Sequence, residues 1–281
     1  MKSLCTPPRF SLNPHLSPIQ KKKGKKKVLI IGGPTATGKS DLAFSLAQLL
    51  GGEIVSADSA QVYRGMDIGT AKPSVEEQGL ITHHLINLCD LSTSYNVAQF
   101  YDDARSSLRQ IATRDNVPIV VGGSGFYLHA LLYGPPLGPP SKPEVREQLE
   151  QQIRELGAEV LYERLQMLDS VYAATISEFD RHKIIRALEI MAISEKKVSD
   201  FPKPTCLKEE DYDFRCWFTY YPKEILYPRI EKRCDEMIEK GFLEEVRQLE
   251  KVGIRKNSAA SQAIGYRQAL EYLEGGQTKE D

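Results

Sequence analysis

The chain has 281 residues, 41% of them hydrophobic and 27% charged, a composition that excludes an intrinsically disordered protein and a small disulfide scaffold. No uncharged apolar run approaches the roughly 20 residues that a bilayer-spanning helix needs, so no membrane partner is expected. The net charge of −1 conceals an asymmetry: residues 1–27 carry eight Lys or Arg and no acid, which leaves 29 basic against 38 acidic residues, a net of −9, for the remainder. A nucleic-acid partner would therefore have to meet a local positive groove, because the field of the body as a whole repels it.

In chain order, residues 1–27 are rich in Pro, Ser and Lys, show no periodicity able to bury a face, and are expected to form a disordered basic tail. A Ser-rich, acid-free N-terminus also resembles an organellar transit peptide, and the run from Lys21 to Lys27 reads equally as a nuclear signal or an RNA-attracting arm. An intracellular protein is expected, in a plastid or mitochondrion if the tail is an address and cytoplasmic otherwise. Five cysteines without a C-x-x-C pair agree with a reducing compartment and speak against a zinc site.

Val28-Leu29-Ile30-Ile31 reads as a strand buried on both faces. After the loop Gly32 to Ser40, the spacing of Leu42, Leu46, Leu49 and Leu50, with Ala43 and Ala47, predicts a helix that Gly51-Gly52 stops. Glu53 to Ala57 is a second strand, ending at Asp58. A helix from Val97 to Arg114 leads into a strand from Val117 to Val121, so the fold class is α/β, a P-loop NTPase-like doubly wound parallel sheet. Proline clusters at Pro135-Pro136, Pro139-Pro140, Pro202 and Pro204 bracket a helix-forming stretch without strand signals. The organisation expected is a first part of the core at 28–141, a helical insertion at 142–203 and a second part of the core at 204–281. That last part holds a strand from Phe214 to Tyr221 and helices at Lys223 to Lys240, Phe242 to Val252 and Ala260 to Leu273.

Gly33-Pro34-Thr35-Ala36-Thr37-Gly38-Lys39-Ser40 satisfies G-x-x-x-x-G-K-[ST] between a strand and a helix, the context this phosphate loop requires. Its backbone N–H groups and the helix N-terminus form an anion site, Lys39 adds a point charge, and Ser40 offers a hydroxyl to Mg2+. A nucleotide hydrolase usually places a metal-holding Asp at the end of a later apolar strand, yet Val117 to Val121 runs into Gly122-Gly123-Ser124-Gly125. Asp58 is the nearest strand-end acid, suited to holding metal or to accepting a proton from a nucleophile.

The phosphate loop, the run Asp58-Ser59-Ala60-Gln61-Val62-Tyr63-Arg64-Gly65-Met66-Asp67-Ile68-Gly69-Thr70-Ala71-Lys72-Pro73, and then His83-His84-Leu85, Val121 to Tyr127, Arg186 to Glu189, Arg229 to Arg233 and Gln262 to Arg267 resemble, in order, the tRNA dimethylallyltransferase (isopentenyltransferase) family. The likeness covers Val28 to about Leu273. It implies transfer of the dimethylallyl group of dimethylallyl diphosphate to N6 of the adenosine 3′ of the anticodon, with the tRNA anticodon stem-loop as partner and Mg2+ as cofactor. A monomer is expected. The loop would hold a diphosphate leaving group, whose growing charge Lys39, Mg2+ at Ser40 and, by alignment, Arg233 would stabilise. Asp58 matches the family's general base, and Ser124 stands where a threonine is common. Asp58, Ser59, Ala60 and Gln61, with Gln262, Gly265, Tyr266 and Arg267, match RNA-contacting segments of the family; separately, Tyr63, Tyr127 and Tyr266 are either base-stacking or, as is more usual, packed aromatics. Where the family usually shows Asp-Pro-Gln-Arg, this chain has Asp180-Arg181-His182-Lys183, so His182, Lys183 and Arg186 keep positive charge with altered detail. The chain stops at Asp281, before the family's Gln- and Arg-rich C-terminal helix, and so reads as a truncated product, a fragment or a variant with weakened RNA binding. With the tail, the resemblance reads as a plant or plastid-type member. Two other activities share the phosphate loop: adenylate isopentenyl transfer to AMP, ADP or ATP, and small-molecule phosphoryl transfer.

Overall fold

The computed structural model describes residues 25–136, 138–202 and 212–275. Most of the N-terminal tail, Pro204 and the last six residues lie outside the described residues. The first strand, β1 (Lys26–Gly32), begins two residues earlier than its apolar run: Lys26 pairs with Tyr212, and its Nζ donates to the Ala112 carbonyl at 2.9 Å. The expectation that the tail extends through Lys27 is corrected to that extent. The elements that follow are α1 (Lys39–Leu50), β2 (Gly52–Ser56), α2 (Val75–Leu80), β3 (His83–His84), α3 (Val97–Thr113), β4 (Val117–Gly122) and α4 (Gly125–Tyr133). Four helices come next: α5 (Pro143–Leu156), α6 (Ala158–Leu168), α7 (Ser170–Ala173) and α8 (Arg181–Ser194). The chain then returns through β5 (Tyr212–Phe218), α9 (Lys223–Glu239), α10 (Phe242–Lys251), α11 (Ser258–Ser261) and α12 (Tyr266–Leu273).

The five strands lie in the order β3-β2-β4-β1-β5 and every pairing is parallel. Alternation along β1 divides the core. Leu29 and Ile31 face Ala43 and Ala47 of α1 on one side, whereas Val28 and Ile30 face Phe100, Ala104 and Leu108 of α3 and Tyr127 and Leu131 of α4 on the other. This is the doubly wound α/β arrangement of P-loop proteins. On α1 the leucines are not the buried stripe: Ala43 and Ala47 are buried and Leu49 is 53% exposed. Close approach explains this, since a β-carbon on Gly52 would lie 3.4 Å from Ala47 Cα, and leucine on that face would push the helix off the sheet.

Helices α5 to α8 enclose a core of their own around Leu149, Ile153, Leu161, Leu165, Ile184 and Leu188. Glu189 of α8, fully buried, joins this unit to the strand-side chain by accepting from Ser141 Oγ, from the Lys142 N–H at 3.0 Å and from Arg186 at 2.6 Å. Arg186 also donates to the Pro139 carbonyl at 2.6 Å. The single helix expected at Ala260 to Leu273 is broken into α11 and α12, because Gly265 takes φ 88°, a conformation that ends a right-handed helix.

Candidate active site

β1 delivers the chain into the Gly33 to Ser40 loop. The chain leaves β1 toward α1 on one face and leaves its neighbour β4 toward α4 on the other. The crevice between these strand ends is therefore the switch point where open α/β sheets bind ligands. Ala36 and Gly38 take φ 61° and 81°, turns of the kind that aim backbone N–H groups into an anion-binding hollow. Gly38 is also the N-cap of α1, so the helix's positive end closes the cradle.

Residues far along the chain hold the loop in shape. Thr219, just past β5, donates its N–H to the Gly32 carbonyl at 2.8 Å, and its hydroxyl lies 2.7 Å from that of Thr37. Thr37 Oγ1 is also 2.9 Å from the Pro34 carbonyl, to which it donates. A β-carbon on Gly33 would lie 2.5 Å from the Thr219 carbonyl oxygen, so that position has room only for glycine. Arg229 of α9 donates through Nε to the Ala36 carbonyl at 2.8 Å and stacks over the Tyr221 ring. Thr219 and Arg229 were missed as site residues in the sequence; the signal for the second was its place one helical turn before Arg233.

Lys39 Nζ donates to the Pro34 carbonyl at 3.0 Å. Burial lowers its pKa from the ordinary lysine value, Arg233 lowers it further, and Asp58 acts against both. Lys39, Arg233 and Asp58 thus share one electrostatic field, although they come from α1, α9 and the end of β2. Asp58 arrives there because β4 and β2 touch at their ends. The Ala57 N–H donates to the Val121 carbonyl at 2.7 Å, and the Ser124 N–H to the Ala57 carbonyl at 3.3 Å. Gly122 permits this contact, since a β-carbon there would lie 2.1 Å from the Ala57 carbonyl oxygen. Asp58 is half-buried, and its Oδ1 accepts from the N–H groups of Ala60 at 2.9 Å and Gln61 at 3.3 Å, which leaves lone pairs for a further donor. Ser124 Oγ accepts from the Ser59 N–H at 3.2 Å. Ser40, exposed at the second position of α1, presents a hard hydroxyl oxygen at the rim of the cradle. It fits a cation such as Mg2+, which keeps several waters and takes its other ligands from bound phosphate.

The remaining candidates divide. Gln262 and Arg267 are exposed and Gly265 is half-buried. Gln61 is committed within the fold, accepting from Ser56 Oγ at 2.8 Å and donating to the Thr70 carbonyl at 3.1 Å. Tyr266 is fully buried, with its hydroxyl on Glu245 at 2.6 Å and its ring edge-on to Phe242. Tyr63 and Tyr127 are buried too, the latter stacked on Phe100. Of the two readings open for these rings, packing is the one the structure fits: all three are packed aromatics. On α8, His182 and Lys183 are exposed, with Lys183 3.0 Å from Asp180, while Arg186 is occupied by Glu189 and Pro139. They belong to the helical unit, apart from the cradle.

The site is thus a phosphate cradle with two cations, a strand-end carboxylate and a nearby hydroxyl, set at the switch point of a P-loop-like α/β sheet. The model of the IPP transferase family matches residues 61–281. The tRNA dimethylallyltransferase of Protochlamydia amoebophila is 58% identical over 261 residues, covering 93% of this chain and 76% of the relative, and that of Chlamydia abortus is 46% identical over 257 residues, covering 91% and 75%. Among solved structures, the tRNA isopentenylpyrophosphate transferase of Bacillus halodurans superimposes with a TM-score of 0.62 at 37% identity, over 91% of this chain and 80% of the other. A eukaryotic dimethylallyltransferase captured acting on tRNA gives 0.73 at 30% identity, over 89% and 64%. The chain belongs to the IPP transferase family.

Proposed function

We propose that this protein transfers the dimethylallyl group of dimethylallyl diphosphate to N6 of the adenosine 3′ of the anticodon in tRNA. The observation that carries the reading is the junction of β4 and β2, which sets Asp58 and Ser124 beside the phosphate cradle while β4 itself ends in Gly122-Gly123. That geometry suits departure of a diphosphate next to a proton acceptor. The allylic C–O bond breaks and its electron pair leaves on the diphosphate. The N6 lone pair forms the new C–N bond, and the N6 proton passes to the Asp58 carboxylate. The loop amides, Lys39 and Arg233 meet the negative charge as it gathers on the leaving oxygen. Ser40 would hold Mg2+, which when bound supplies further positive charge to the diphosphate. Gln262, Arg267, His182 and Lys183 offer exposed polar and basic groups to the anticodon stem-loop.

The test is transfer from labelled dimethylallyl diphosphate to tRNA, AMP, ADP and ATP in parallel. Label should enter tRNA and map to N6 of that adenosine. Label in free adenylates with none in tRNA would overturn the assignment.

A further inference from the structure

Glu245 of α10 takes no part in the step above, yet its carboxylate is fully engaged. Oε2 accepts from the N–H groups of Asp67 at 3.0 Å and Ile68 at 2.7 Å, and Oε1 from the Gly69 N–H at 3.3 Å and the Tyr266 hydroxyl at 2.6 Å. Three consecutive amides thus converge on one side chain. The loop they belong to is gripped from other sides as well. Lys72, with a side chain only 3% exposed, donates to the Tyr63 carbonyl at 2.8 Å and contacts Asp67 at 2.5 Å and Asn87 at 2.6 Å. A β-carbon on Gly69 would lie 2.3 Å from the Phe242 ring and 2.7 Å from that of Tyr266.

This clamped loop reaches the reaction centre through one side chain. Gln61 Nε2 donates to the carbonyls of Thr70 and Ala71 at 3.1 and 3.4 Å, while its backbone N–H is one of the two that orient Asp58 Oδ1. Hydrogen bonds joined by short stretches of backbone thus link Glu245 through residues 67–71 and Gln61 to Asp58. We propose that Glu245 is a positioning residue for prenyl transfer: it fixes the 67–71 loop so that Gln61 holds Asp58 in line for the N6 proton. The inference rests on Asp58 being the proton acceptor. The cradle lies between β1 and α1 and is held by Thr219 and Arg229, outside this path, so diphosphate affinity is expected to change much less than the rate.

The experiment compares wild type, Glu245→Gln, Tyr266→Phe and Asp58→Asn in single-turnover transfer at saturating substrates, per folded molecule. Thermal unfolding and the affinity of a non-reactive diphosphate analogue are measured beside it. The Glu245→Gln amide keeps the size but must turn an NH2 toward the Gly69 N–H or toward the pair at Asp67 and Ile68. Its rate should fall at least tenfold, with analogue affinity within twofold of wild type, and Tyr266→Phe should show a smaller fall of the same kind. A Glu245→Gln rate within twofold of wild type, whatever its melting temperature, overturns the proposal, as does a loss of analogue affinity matching the loss of rate. Should Glu245→Gln fail to fold, Tyr266→Phe decides by the same split. An Asp58→Asn variant that turns over normally would instead overturn the proton-acceptor reading beneath it.

Discussion

Asp58 sits beside Lys39 while two backbone amides hold one of its oxygens and leave lone pairs free on the carboxylate. Asp58→Asn preserves the shape and removes the acceptor. Single-turnover transfer should fall by about 10² to 10⁴, roughly 3 to 5 kcal/mol in the barrier, with affinity for a non-reactive diphosphate analogue little changed. If affinity and Mg2+ dependence collapse together while the saturated rate holds, the residue is a metal ligand. Lys39, Ser40 and Asp58 were legible as chemistry because a spaced motif and a strand-end acid each have few other uses. Glu245 and Thr219 were not, since an acid in an amphipathic helix and a threonine after a strand are commonplace until the fold brings them to residues 178 and 182 positions away.

At the scale of elements, the contact between the ends of β2 and β4 sets Asp58 and Ser124 near each other. A β-carbon added at Gly122 meets a backbone oxygen at 2.1 Å, and backbone yields less readily than a flexible side chain. Gly122→Ala should therefore lower stability by about 1 to 3 kcal/mol, read as the urea midpoint, and reduce transfer further than the lost stability explains, because Asp58 follows the displaced Ala57. Full transfer activity in the folded variant would show that the junction does not set Asp58. The strands β1 and β4 were readable from their apolar runs, and β2 from Ile54-Val55 following the glycines that stop α1. α4 was not, because Gly125 to Tyr133 is apolar with no polar face to give a period. β3 was too short to show a pattern, and the break between α11 and α12 turned on the conformation of one glycine.

The molecule as a whole carries a stabilising charge cluster at the opposite end of the sheet from the cradle. Glu53, with a side chain 6% exposed, accepts from Arg114 through both oxygens at 2.8 Å, from Asn116 at 2.8 Å and lies 2.7 Å from His84 Nε2. The Arg114 hydrogen bonds foremost hold its carboxyl down from 4.5 to about 2, with His84 and Asn116 assisting against burial. A depressed carboxyl pKa contributes stability above the unfolded value and loses it as pH falls toward the folded one, here between 4.5 and about 2. The contribution is on the order of 3 kcal/mol. Glu53→Gln should be less stable at pH 7, and its denaturant midpoint should fall less steeply than that of wild type across that acid window; parallel curves would remove the cluster from the acid response. The order β3-β2-β4-β1-β5 has one more consequence, in time rather than in space. Among the described residues β1 pairs with β4 and β5, so a strand made early in synthesis waits for partners made much later. At about 5 to 20 residues per second, β5 and Thr219 follow by roughly 10 to 40 s. β4 reaches β1 less than halfway through that interval, but until β5 follows, one edge of β1 stays open and the phosphate loop lacks its wall. The loop therefore gains the hydrogen bonds from Thr219 that hold its shape only once synthesis has passed residue 219.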